Sequence, residues 1–136
     1  MKKITFLCIF VVGALFSSIV KAETVLFCQS ELIVGFFNDG GSWRKGNFAN
    51  ERYTIKFNND YSKLYGLDEM LPYNCLQPYL HAPDALACLS GFSNGQSFIF
   101  NKRTKRFVFS FSKLNGGYDI NGPDTDFLAA GTCKKF

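Results

Sequence analysis

The chain has 136 residues, 47% of them apolar and 17% aromatic, with 15 Lys+Arg against 11 Asp+Glu and a formal net charge of +4. A single-domain length with ordinary charge content excludes a disordered chain, a collagen-like repeat and a multidomain enzyme.

The first residues read as an export signal. Lys2 and Lys3 make a positive start, Ile4 to Phe16 is an almost unbroken apolar run, and Val20 and Ala22 occupy the two positions a signal peptidase inspects. This predicts a secretory signal over residues 1–22, cleaved before Glu23, and one disulfide-stabilised β-rich domain over residues 23–136. The apolar stretch falls short of the roughly 20 residues of a membrane helix and is diluted by Gly13, Ser17 and Ser18, so cleavage is favoured over an anchor. Cys8 lies in the discarded part. Losing Lys2, Lys3 and Lys21 leaves 12 basic and 11 acidic side chains, a net charge near +1. That balance directs expectation away from nucleic acid and from an anionic membrane surface, and no stable membrane insertion is expected once the signal is cleaved.

Beyond the signal the dominant period is two. Val25 to Gln29 and Glu31 to Phe37 are the expected opening strands, with a turn over Asn38 to Gly41. Trp43 and Arg44 follow a Gly-Gly-Ser run and are read as a loop. Arg52 to Phe57 alternates polar with apolar residues, the pattern of a strand with one buried face. Asp60 to Leu71 places Leu64, Leu67 and Leu71 at helical spacing behind a possible Asp60 or Ser62 cap, which predicts a short helix interrupted at Gly66. Ala82 to Gly91 begins with Pro83 and Asp84, as a helix does, or else holds a buried strand over Ala85 to Leu89.

The clearest hairpin joins Ser97–Asn101, with Phe98 and Phe100 on one face, to Arg106–Ser112, with Phe107, Phe109 and Phe111 on one face. Asn115 and Gly116 predict a second tight turn leading to a strand over Tyr118 to Asn121, and Gly122 and Pro123 end it. Thr125 to Cys133 reads as the last strand, with Phe127, Ala129, Gly131 and Cys133 on one face. The expected architecture is mostly β: a small antiparallel meander barrel or sandwich with a short helical excursion between Asp60 and Leu89.

Cys28, Cys75, Cys88 and Cys133 remain once the signal is gone, an even number that reads as two disulfides in an exported domain. Three pairings are open to four cysteines; the nested one, Cys28 with Cys133 and Cys75 with Cys88, is preferred. No two cysteines have the two-to-four-residue spacing of structural zinc ligands.

Reactive motifs are sparse. There is no HExxH, no CxxC and no glycine-rich phosphate loop, and His81 is the sole histidine. His81 with Ser90 or Ser93, or a carboxylate pair drawn from Glu31, Glu51, Asp68 and Glu69, could support hydrolysis only if a pocket gathered them. Asp119, Asn121, Asp124 and Asp126 concentrate oxygen ligands, but Pro123 takes the next ligand position of a calcium loop and no glutamate closes it, so a turn is expected there. No metal or other cofactor is expected.

The remaining contact candidates are Trp43 with Arg44, and the basic loop of Lys102, Arg103 and Lys105 with Arg106. In size, signal and cysteine pattern the chain resembles the class of small periplasmic β-barrel inhibitors of lysozyme or protease, without a shared inhibitory motif. These features together lead to the expectation of a periplasmic or secreted, non-enzymatic protein-binding module of inhibitor or immunity type. A small envelope hydrolase acting on glycan or peptide and a self-associating structural component are the alternatives.

Overall fold

The computed structural model describes residues 23–38, 42–67, 71–91, 95–112 and 124–136. The expected export signal, the expected Asn115–Gly116 turn and the expected Tyr118–Asn121 strand lie outside the described residues. Nine strands follow in chain order: β1 Thr24–Asn38, β2 Trp43–Gly46, β3 Arg52–Phe57, β4 Lys63–Tyr65, β5 Tyr73–Leu76, β6 Ala85–Leu89, β7 Ser97–Asn101, β8 Arg106–Phe111 and β9 Asp124–Lys135. All pairings are antiparallel, and β1 closes on β9, so β1 and β3 to β9 form an eight-stranded barrel. The barrel form of the expected meander is therefore the one adopted.

The two opening strands are one. β1 runs unbroken through a bulge at Glu31, where its register against β9 shifts between Ser30 and Leu32. The extra residue reverses which parity points inward: Leu26, Cys28 and Ser30 are buried before the bulge, Ile33 and Gly35 after it. β2 and β3 meet β1 in a single register, because Gly35 faces Gly46 and Gln29 faces Arg52 and each pair of numbers sums to 81. They act as one strand interrupted by residues 47–51. Ser30 clasps the interruption, donating its amide to the Glu51 carbonyl at 2.9 Å and accepting the Glu51 amide on Oγ at 2.6 Å.

No helix occurs among the described residues, which overturns the expected helical excursion. Asp60, the proposed cap, instead closes a turn by accepting the Ser62 amide at 3.0 Å, and the Ser62 bonds hold its carboxyl below the usual range. Asn58 Oδ1 accepts the Lys63 amide at 2.9 Å, while Tyr61 and Gly66 take left-handed backbone at φ 61° and 97°. Leu64 is then fully buried on β4, while Leu71 is left exposed, so the helical spacing of the leucines marks no helix. Ala85–Leu89 is the strand alternative, paired on both edges.

The interior is aromatic. Phe57, Phe98, Phe100 and Tyr73 are almost wholly buried, with Phe107 and Phe109 beside them, and Phe98 stacks on Phe107 at 5.1 Å. An eight-stranded barrel is just wide enough for side chains to fill, and rings of this size fill it. Gly131 is required at the seam, because a side chain there would run into the Gln29 carbonyl opposite the bulge. Among the described residues the core runs from Leu26 to Cys133.

Both disulfides are nested as expected, Cys28–Cys133 and Cys75–Cys88. Each joins residues directly opposite in register, the first across the β1–β9 seam that closes the barrel, the second between β5 and β6. Two such bridges fit an oxidising, extracytoplasmic location.

Candidate interaction surface

The strands between Asp124 and Thr132 of β9 separate the sequence-predicted contact residues. Trp43 pairs through Asn38 with Asp124 at one end of the β1–β9 ribbon. Arg106 pairs with Thr132 near the other end, next to the 102–105 turn, and the eight intervening steps span roughly 26 Å. The two groups form two separate patches. Trp43 stands on an edge strand, not in a loop, and is 43% exposed. Arg44 alternates to the opposite face of β2.

The basic turn is tied into its surroundings. Lys102 donates its amide to the Asp84 carbonyl at 2.8 Å and carries its ammonium 5.6 Å from the Tyr61 ring centre. Arg103 pairs with Asp84 at 3.5 Å, and Lys105, in left-handed backbone at φ 59°, returns its ammonium to the Lys102 carbonyl. Lys105 also accepts the Cys133 amide at 2.8 Å, while Arg106 is exposed on β8. These contacts hold the cations in place. They do not neutralise them, because an exposed pair such as Arg103–Asp84 is weakly bound.

Residues proposed for chemistry are scattered. His81 is exposed in the β5–β6 connection. Glu31 Oε1 accepts a bond from the Thr132 hydroxyl at 2.9 Å. Glu51 accepts one from the Tyr53 phenol at 2.7 Å, and burial first, then that bond and the carboxylate charge, raise the Tyr53 phenol far above its ordinary value. Asp68, Glu69, Ser93, Asp119 and Asn121 lie outside the described residues. Asp124 and Asp126 lie on β9. Among the described residues no three His, Cys, Asp or Glu gather as a metal site would require.

Gly91, Phe92, Ser93, Asn94 and Gly95 spell a G-x-S-x-G string. Its setting differs from a nucleophile elbow, which needs a strand, a sharp turn and a helix. Here the string falls in chain order between β6 and its antiparallel neighbour β7, and Phe92, Ser93 and Asn94 lie outside the described residues.

The surface that the sequence reading did not single out is the outside of the barrel. Successive register partners Leu32, Ala130, Val108, Ile99, Ala87 and Leu76 form one row across β1, β9, β8, β7, β6 and β5. Val34 with Leu128 begins the next row, and Phe36 the one beyond. Leu32 is 60% exposed and Phe36 57%, with Val34, Leu128, Val108 and Ile99 also exposed. A groove of about 530 Å³ runs between Val34, Phe36 and Leu128, with Lys45 and Asp126 at its margin. Trp43 shares the Phe36 face by register. The chain matches no known protein family, no curated protein and no solved structure.

The signal for it was present in the sequence. Phe98-Ile99-Phe100 and Phe107-Val108-Phe109 are apolar on both parities, a pattern typical of strands covered on both faces.

Proposed function

We propose that the chain is an exported protein-binding module of the bacterial envelope, periplasmic or secreted, without enzymatic activity of its own and of inhibitor or immunity type. The observation that carries this reading is the apolar outer face from Leu32 and Phe36 to Ile99, since a contiguous exposed apolar patch on a soluble domain marks an interaction site. Its chemistry suits a protein. Flat, rigid strands present aliphatic side chains at fixed spacing, Phe36 and Trp43 supply aromatic anchors, and Lys45 with Asp126 at the margin supplies a polar rim. The aromatic filling of the barrel favours surface recognition over carriage of a small molecule inside.

The test uses residues 23–136 with both disulfides intact, as wild type and as a Phe36→Asp, Val108→Asp variant. Each is immobilised and exposed to envelope extract, and the protein retained by the wild type is purified and titrated against both. The expected outcome is affinity lower by a factor of ten or more in the variant. Equal affinity for both would remove the outer face from the reading. Saturable hydrolysis of glycan or peptide that disappears in His81→Ala would replace it with the hydrolase alternative, and concentration-dependent light scattering abolished by the same variant would replace it with self-association.

A further inference from the structure

The connection between β5 and β6 is the second exposed apolar feature, and it lies at the other patch. Leu80 is 92% exposed and Tyr79 67%. Such exposure in a floppy loop would mean little, but this one is fixed. Ala82 donates its amide to the Tyr79 carbonyl at 3.2 Å, which places Leu80 and His81 at the corner of a tight turn, and Ala85 donates to the Ala82 carbonyl at 3.0 Å. The Cys75–Cys88 bridge closes the base, and the Lys102 amide on the Asp84 carbonyl ties its far side to the basic turn.

The same end of the barrel collects cations from separate parts of the chain. Lys102, Arg103, Lys105 and Arg106 come from the β7–β8 turn, and Lys134 and Lys135 from the end of β9, whose Cys133 is bonded to Lys105. The carboxylates among them are Asp84, already beside Arg103, Asp60, and Glu31, which accepts the Thr132 hydroxyl and lines a cleft with Lys134; Glu23 is taken by Lys56 at 3.1 Å, and six cations still outnumber the three remaining carboxylates. A net charge near +1 over residues 23–136 thus conceals a local excess of positive charge.

From a rigid convex apolar tip beside a cluster of cations we infer that this end docks peripherally on an anionic lipid bilayer. Leu80 and Tyr79 enter the headgroup layer, with the tyrosine hydroxyl at the water boundary, and the basic turn with Lys134 and Lys135 meets lipid phosphates. Charge complementarity selects the anionic surface. Convexity favours a fluid interface over a preformed pocket, because a bilayer accommodates a tip without a matching shape. Among the described strands β4 to β8 have three to six residues, shorter than the nine to eleven of a spanning strand. This inference is independent of the protein-binding reading. Docking by one end leaves the outer face, which runs along the strands, open to the side.

Residues 23–136, disulfides intact, are sedimented with phosphatidylcholine vesicles and with phosphatidylcholine vesicles containing phosphatidylglycerol. The expected result is partitioning to the anionic vesicles alone, weakening as salt shortens the screening length from about 30 Å at 0.01 M to about 8 Å at 0.15 M. Charge reversal at Lys102 and Arg103 lowers the partition coefficient by roughly fivefold or more per residue, and Leu80→Asp lowers it roughly tenfold. Phe36→Asp, at the outer face, leaves it unchanged. A Leu80→Trp variant in a Trp43→Phe background shifts its emission to the blue on anionic vesicles. Equal partitioning to both vesicle types, no loss in Leu80→Asp, or retention of an acidic protein by this end with no preference for anionic vesicles overturns the inference.

Discussion

The inner and outer faces of the barrel wall are both apolar, yet only one is covered. Phe98, Phe100, Phe107 and Phe109 point inward and are at most 4% exposed, while Ile99 and Val108, their immediate neighbours in sequence, point outward at 41% and 37%. Antiparallel walls with one wet face ordinarily carry polar residues outside. Under the proposed function, the inner surface serves stability and the outer surface serves a partner. The difference separates two roles that composition alone merges into one aromatic-rich, apolar chain.

The sharpest way to break the inner side is to open the seam. Replacing Cys28 and Cys133 together by Ala removes a bridge that closes a long loop and is expected to cost about 4.7 kcal/mol in the chain-entropy picture, read as the shift in urea midpoint. Phe98→Ala is expected to cost roughly 4 kcal/mol, because the wholly buried ring leaves a cavity among Phe100, Phe107 and Phe109. A loss below 1 kcal/mol would show that the interior is loosely filled.

Tyr53 supplies the next effect. Its phenol stays protonated in the folded barrel above the ordinary value near 10, whereas the unfolded chain ionises there. The contribution is therefore fully present below about pH 10 and is lost as pH rises beyond it. Urea melts between neutral and alkaline pH should show the decline, and Tyr53→Phe should flatten part of it; an unchanged slope would assign the alkaline loss elsewhere. Smallest of all, Ile99→Thr on the outer face is expected to move stability by no more than about 0.5 kcal/mol. A loss as large as that of Phe98→Ala would mean that the outer face is covered in the isolated domain.

Much of this architecture is readable from the chain because inward-facing residues repeat at period two and because an even set of four cysteines reads as a disulfide framework. Arg52–Phe57, the phenylalanine hairpin and the last strand fold where the alternation places them. The reading fails where spacing satisfies two structures at once. Leu64, Leu67 and Leu71 suit a helical face, but Asn58, Asp60 and Ser62 bond local amides and commit the chain to a turn. β2 and β5 have four residues each, too few for any period to show. Charge and the lone tryptophan point to the basic turn and not to Leu80 beside it, although Pro78 and Pro83 bracket that tip between two cysteines. The outer face is hard to read because the alternating Phe98, Phe100, Phe107 and Phe109 dominate the pattern and hide Ile99 and Val108 between them.

The seam has a consequence for the order of assembly. β1 pairs along its length with β9, and Cys28 and Cys133 lie 105 residues apart. Contacts of such separation form slowly, since the chain between them must be ordered first. As the chain emerges from its N-terminus, β1 appears first and its last partner appears last. Until then it offers an unpaired edge to any neighbouring strand. The Cys28–Cys133 bridge therefore records a completed barrel, and the interval before it forms is when the nascent chain is most exposed to wrong pairing.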